Sequence, residues 1–221
     1  MLHDEAASGG RNVFHKVAAV EGDMNLPGLG LSADDAALLA DEVQLVIHCA
    51  ASLELDAPIQ KTLRSNYLGT SQLLRIAATW PNLCCLLFTS TYFVNNFKPR
   101  NSIVAEALHH VPLNLPLSAP DKTLNHGELV DALLAMDADT ADAEAAALMG
   151  SLNLTSTYAF GKLLTEHLVN EAQLQVSGSG PWPANVLTCV CVQDDCNEEQ
   201  LLLLLSTWLS LMLPQHAPGA V

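Results

Sequence analysis

Short apolar runs alternate along this chain with longer stretches whose apolar positions recur at helical spacing. Val17-Ala18-Ala19-Val20 is a short apolar run ended by Gly22-Asp23. Ser32 then predicts a helix start, with Asp34 and Asp35 in the first turn and Leu38 and Leu39 beyond. Val43–Ala51 is nearly all apolar and predicts a strand covered on both faces. Asp56-Ala57-Pro58 supplies a cap and an early proline for a helix running to Trp80, with Leu63, Tyr67, Leu74 and Ile76 among its apolar positions. Leu83–Phe88 is another apolar run, closing on Thr89-Ser90-Thr91. Residues 97–126, rich in Pro, Asn and His, read as irregular. Glu128–Leu148 predicts one acidic, Ala-rich helix, and Tyr158–Gln175 predicts another. Ser177-Gly178-Ser179-Gly180 is a loop before the apolar strand Asn185–Val192. Strands alternating with helices predict an α/β fold with a parallel sheet.

The length of 221 residues suits one domain with a sizeable core, or one domain and part of another. A formal net charge of −15 would repel a phosphate backbone and argues against nucleic-acid binding. Asp137, Asp139, Asp142 and Glu144 read as a solvated face. Of the six cysteines, Cys49, Cys84, Cys85, Cys189 and Cys191 lie in apolar runs; Cys196 does not. None forms a C-x-x-C pair and no His cluster has metal-ligand spacing, so no metal is expected. The expectation is of buried thiols in a reducing intracellular compartment. Met1–Gly10 is too polar for a signal peptide. Leu201–Pro214 is too short to span a bilayer and reads as a buried or partner-facing helix, with membrane-surface contact as the second reading.

The sharpest local signal is Thr157-Tyr158-Ala159-Phe160-Gly161-Lys162. Tyrosine and lysine four apart on a helix share a face. Carbonyl reduction needs a proton donor, a phenol can serve, and a nearby ammonium lowers its pKa. The same spacing also suits a plain solvent-facing pair. Phe88-Thr89-Ser90-Thr91 would place hydroxyls at the carboxyl end of a strand, where open α/β sheets bind ligands, although such a cluster also suits a turn or cap. His48-Cys49-Ala50-Ala51 ends the preceding strand with small residues; His48 alone reads as a core histidine. Asn66 and Gly69 sit mid-helix, where both are costly.

Taken in order, these residues resemble an extended short-chain dehydrogenase/reductase, and more narrowly the reductase domain of alcohol-forming fatty acyl-CoA reductases. The resemblance rests on Val20-Glu21-Gly22-Asp23, Gly28-Leu29-Gly30-Leu31-Ser32, His48-Cys49-Ala50-Ala51-Ser52 and Asn66-Tyr67-Leu68-Gly69-Thr70. It continues through Ser90-Thr91-Tyr92-Phe93-Val94-Asn95, Glu106, and Thr157-Tyr158 with Lys162 and Glu166. It implies Tyr158 as proton donor, with Lys162 binding the nicotinamide ribose and tuning Tyr158. It implies Thr91, or Ser90 as the alternate, as hydrogen-bond donor to the substrate carbonyl, and Asn66 in support of the proton relay. Asp23 would sit near the adenine, with Ala50 and Ala51 along the cofactor. The implied cofactor is NADPH, and the implied substrate a long-chain acyl-CoA reduced to aldehyde and alcohol. Another thioester or carboxylic-acid reductase, or an inactive binding remnant, are the alternatives.

No strand followed by a glycine-rich turn opens the chain; Ser8-Gly9-Gly10 follows no strand. The expectation is therefore a partial Rossmann-type, doubly wound parallel sheet lacking its first two strands and glycine-rich loop. It would occupy residues 1–192, with a long insertion at 97–156 and a divergent helical tail at 193–221. The insertion is expected to form a flap with one helix beside Tyr158. Val17–Val20 and Val43–Ala51 would be the third and fourth strands, pairing directly, and the chain alone would lack NADPH affinity.

Overall fold

The computed structural model describes residues 16–99, 101–103, 108, 125–176 and 186–189, with side chains described as far as residue 172. Ser8-Gly9-Gly10, Glu106, Cys191, Cys196, Leu201–Pro214 and the proposed tail at 193–221 lie outside the described residues, as do most of 97–126 and the sequence from 190 to 192.

The fold is α/β, built on a small parallel sheet of partial Rossmann type. Three strands, β1 (Leu45–His48), β2 (Cys85–Thr89) and β3 (Val186–Cys189), lie in that order. His48 stands opposite Phe88, and Thr89 opposite Cys189, so the carboxyl ends of all three strands meet at one edge. β2 alternates, with Leu86 and Phe88 buried and Cys85, Leu87 and Thr89 half-buried. Its buried side packs on Leu74, Ala77, Trp80, Val169 and Ala172.

Two expectations about the first strands fail. Val17–Val20 forms no strand, and Val17 is 75% exposed. Its pairing with β1 is not observed: β1 pairs with β2 and, among the described residues, with nothing on its other side. The chain after Val20 is drawn elsewhere. Met24 seats against Gly69, where a Cβ would come within 2.9 Å of the Met24 Cε, and Gln72 Nε2 donates to the Met24 carbonyl. Nor is β1 covered on both faces, for Leu45 and Ile47 are 42% and 45% exposed.

Helix α1 (Ala33–Glu42) starts as expected: the Ser32 hydroxyl accepts the Asp35 N–H. The next helical stretch comprises α2 (Ile59–Thr62), a π-helical turn (Leu63–Leu68) and α3 (Gly69–Ala77). Asp56 does not cap it. Asp142, eighty-three residues on, accepts the Ile59 N–H at 2.7 Å. The extra residue in the π turn is absorbed around Asn66, which is buried along with Leu63 and Tyr67.

The region expected to hold one helix holds two, α4 (His126–Ala135) and α5 (Ala138–Ser151). Asn125 and Glu128 form a capping box for α4, and Asp137 caps α5 by accepting the Thr140 N–H, so the chain must break between them. The pair is no flap. Leu129, Val130, Leu133, Ala141 and Ala145 are fully buried in one cluster with Ile59, Leu63, Phe160 and Leu164. The Tyr67 hydroxyl hydrogen-bonds His126 Nδ1 at 2.8 Å, and His126 Nε2 hydrogen-bonds Glu171 at 2.7 Å, which ties α4 to both neighbours.

Helix α6 (Thr157–Val176) joins the two halves of the core. Ser156 caps it by accepting the Ala159 N–H. Ala159, Phe160, Leu163 and Leu164 pack on the α2–α4–α5 side, and Val169 and Ala172 pack beneath β2.

The cysteines depart from expectation too. Cys49 and Cys84 are exposed, because each stands where β1 or β2 meets a loop, and Cys85 is half-buried. His48 is the core histidine its lone position suggested. It is 4% exposed, and its Nε2 lies 2.9 Å from Thr70 Oγ1. Thr70 already donates to the Asn66 carbonyl, so His48 Nε2 carries the proton and donates.

Two outcomes are expected. Gly161 faces Thr62 Cγ2, which a Cβ would meet at 2.8 Å, and Thr62 is buried and β-branched. Gly161→Ala should cost about 1–3 kcal/mol by overpacking, against the gain in helix propensity. Adding Thr62→Ser should recover part of it, measured by denaturant unfolding. His48 is pushed down to about 4, first by burial and then by Lys162. Its folded pKa is depressed, so its contribution to stability is present above about 6.5 and lost as pH falls through about 4. The stability difference between wild type and His48→Gln should shrink over that window in melts at stepped pH.

Candidate active site

The carboxyl ends of β1 and β2 and the first turns of α6 converge on one place. The route by which Tyr158 arrives there begins with Asn66. Its Oδ1 accepts the Ser52 N–H at 2.8 Å, and its Nδ2 donates to the Ser52 carbonyl at 3.1 Å. This pins the loop that leaves β1. Farther along the loop, the Leu55 carbonyl accepts both the Tyr158 N–H and the Thr157 hydroxyl, and the Ala57 carbonyl accepts the same hydroxyl. The loop therefore sets the height of α6 against the sheet.

Tyr158 is 7% exposed, and the Thr91 side chain is the group that acts on its phenol. Burial raises the phenol's pKa and Thr91 only partly opposes it, so the shift runs opposite to that expected from a neighbouring ammonium. The proton is held on Tyr158 at neutral pH. Thr91 also accepts the Phe93 N–H, which caps the single turn Tyr92–Asn95 that follows β2.

Lys162 stands one helical turn beyond Tyr158 and is 3% exposed. Its ammonium donates to the Thr89 carbonyl at 2.6 Å and lies 4.2 Å from the centre of the Phe88 ring. Burial pulls its pKa down to about 8, against the charges of Glu166 and Cys49, which raise it. Two of its three N–H bonds remain for other partners.

Ser90 and Thr91 take different directions. Ser90 donates to Glu166 in a short buried hydrogen bond, so Thr91 is the hydroxyl that acts on Tyr158. Glu166 is 1% exposed, and burial raises its pKa to about 7 despite Ser90 and Lys162. Sequence reading gave Glu166 no role, although Tyr158, Lys162 and Glu166 recur every four residues and so form one stripe on α6.

The residues implied for cofactor binding lie at the same sheet edge or near it. Ala50 is exposed and Ala51 half-buried just past β1, so no large side chain obstructs an approach to that backbone. Asp23 is exposed, and its carboxylate accepts both the backbone and side-chain N–H of Asn25. Its own N–H donates to the Leu29 carbonyl. Gly28, Leu29 and Gly30 all take left-handed φ (66°, 60° and 64°), and this tight turn closes the Asp23 loop. An ammonium, a phenol and an unobstructed backbone at strand ends fit the nicotinamide and ribose of a dinucleotide; no glycine-rich turn after a strand stands among the described residues for its pyrophosphate. A cleft of about 500 Å³ is lined in part by Asn25, Ser52, Lys61 and Arg64. Tyr158, Lys162 and Thr91 do not line it, so it is separate from the site described here.

Residues 2–179 match the family described as male sterility protein. The fatty acyl-CoA reductase wat of Drosophila melanogaster is 32% identical over 80 residues, covering 36% of this chain and 16% of that protein. Fatty acyl-CoA reductase 1 of Xenopus laevis is 26% identical over 156 residues, covering 71% of this chain and 27% of the relative. The chain thus spans about a quarter or less of these relatives' lengths. A solved structure, the terminal R domain from the myxalamid PKS-NRPS biosynthetic pathway, aligns with a TM-score of 0.46 at 23% identity, over 81% of this chain and 34% of that one. The match over most of its length means that the chain belongs to the male sterility protein family, among fatty acyl-CoA reductase homologues of the extended short-chain dehydrogenase/reductase type.

Proposed function

We propose that this protein takes part in NADPH-dependent reduction of a long-chain fatty acyl-CoA thioester to the aldehyde and alcohol. The observation that carries the reading is the burial of Tyr158 and Thr91 at the end of β2, one helical turn from the Lys162 ammonium that is tied to the Thr89 carbonyl. Its support from relatives is that proteins similar to it bear the name fatty acyl-CoA reductase.

When bound, the nicotinamide supplies hydride, once to the thioester carbonyl carbon and once to the aldehyde. Tyr158, held protonated by burial, gives its proton to the carbonyl oxygen as the negative charge develops. Thr91 hydrogen-bonds the same oxygen and orients it. Collapse of the resulting hemithioacetal breaks the C–S bond and releases CoA as the thiol. The ammonium of Lys162 uses its free N–H bonds to hold the ribose and favours the phenolate left on Tyr158 after each transfer. Ala50 and Ala51 would lie along the bound cofactor, and Asp23 would stand near its adenine. Asn66 supports the site by fixing Ser52. The free thiols Cys49, Cys84 and Cys85 suit a reducing compartment.

In a full-length context, Tyr158→Phe should lower NADPH-dependent turnover of a long-chain acyl-CoA by about 10²–10⁴-fold. Its melting temperature should stay near that of wild type, since the phenol's ring packing is kept. The assay follows NADPH absorbance beside chromatography of the lipid products, with NADH as the parallel cofactor. Near-normal turnover in the variant, or an active wild type that prefers NADH, would contradict the assignment.

A further inference from the structure

We propose that Glu166 is a positioning residue that keeps the buried Lys162 amine charged, with Ser90 as the clamp that holds its carboxylate in place. The inference rests on reading Tyr158 and Lys162 as the reducing pair and assigns that pair a third member.

The geometry comes first. Lys162 and Glu166 are one turn apart on the same face of α6, and both are almost wholly buried. Each is tied to β2 at consecutive residues: Lys162 donates to the Thr89 carbonyl, and Ser90 donates to Glu166. The strand end thus fixes both partners at once. The groups that act on Lys162 are Glu166 from α6, His48 and Cys49 from the end of β1, and Phe88 and Thr89 from β2. A buried amine in such a place tends to lose its proton. The Phe88 ring and Thr89 carbonyl favour the charged form, but one acts through a quadrupole and the other through a dipole, and neither carries a charge. His48 acts the other way: the two cationic forms repel, and burial already holds His48 neutral to about pH 4. Of the charges that support the ammonium, Glu166 contributes most, ahead of Cys49.

The arrangement has a consequence for chemistry. Lys162 sits near 8 even with Glu166 in place. Without that carboxylate the amine would be largely neutral at physiological pH, and could neither favour a phenolate on Tyr158 nor hold a ribose as a cation. Glu166 does this without touching substrate or cofactor, since its hydrogen-bonding partner is Ser90.

The chain has five lysines, Lys16, Lys61, Lys98, Lys122 and Lys162, few enough to follow separately. With lysine labelled by ¹³C at Cε, an NMR titration of the intact 221-residue chain reads each amine directly. The Lys162 signal is assigned by its loss in Lys162→Met. We expect a wild-type midpoint near 8 that falls by about 1–3 pH units in Glu166→Gln, while the other four lysines stay put. Glu166→Asp should restore part of the shift. Should Glu166→Gln fail to fold, Ser90→Ala carries the test: it removes the bond that favours the ionised carboxylate, so the midpoint falls by a smaller amount. An unmoved Lys162 midpoint in a folded Glu166→Gln, or in a folded Ser90→Ala where the first variant does not fold, overturns the proposal. Turnover plays no part in that readout, so an inactive wild type would defeat the proposed function alone.

Discussion

Two hydrogen bonds between one carboxamide and the backbone of one residue govern the geometry of the site. Asn66 accepts from and donates to the backbone of Ser52, and a buried amide left unpaired in that place would cost about 1–3 kcal/mol per group. The clamp depends on the π turn, because the extra residue at 63–68 sits where Asn66 and Tyr67 are both buried. Everything downstream follows from it. The pinned loop presents the Leu55 and Ala57 carbonyls, these receive the start of α6, and α6 carries Tyr158, Lys162 and Glu166 to the sheet edge. His48 extends the same network through Thr70 to the Asn66 carbonyl, so the end of β1 and the helix are fixed to each other from both sides.

Desolvation is the second constraint, and it acts on four titratable groups within a small volume. Burial pushes Tyr158 and Glu166 towards their protonated neutral forms and His48 and Lys162 towards their deprotonated neutral forms. Had nothing opposed it, the site would hold no charge. It is opposed selectively. Thr91 acts on Tyr158, Ser90 and Lys162 act on Glu166, and Glu166 and Cys49 act on Lys162, while His48 has only Thr70 and stays neutral. Lys162 and Glu166 therefore each oppose the loss of the other's charge.

The sequence disclosed the parts whose signal is local. The Ser32 cap, the apolar run of β2 and the tyrosine–lysine spacing on α6 all stand where expected, because each depends on residues within a turn or strand of one another. Failures came where a distant partner decided the outcome. Asp142 displaced Asp56 as the cap of α2, and no spacing rule reaches across eighty-three residues. Val17–Val20 has the apolarity of a strand, yet it pairs with no strand among the described residues, while Met24 has a glycine-sized seat on α3. The break between α4 and α5 was legible in retrospect: Asn125-x-x-Glu128 and Asp137-x-x-Thr140 are two capping signals, and two caps mean two helices. At the site, sequence left Ser90 and Thr91 as alternates, since adjacent residues on an extended chain differ only in the face they take. Glu166 chooses between them by accepting from Ser90.

Several residues that break local rules have a geometric reason. Asn66 and Gly69 are poor choices mid-helix, but the first holds Ser52 and the second admits Met24. Gly161 lies between the two chemical residues of α6, where alanine would be the better helix former; it is tolerated because α6 must approach Thr62 too closely for a Cβ. Leu29 takes a left-handed φ at a cost of about 1–2 kcal/mol in the turn that carries Asp23. Elsewhere in the described chain, the helices start on ordinary caps and bury ordinary aliphatic faces. Asn66, Gly69 and Gly161 stand on the helical elements that bring Asn66, Tyr158 and Lys162 together, where a site under functional constraint tolerates such costs.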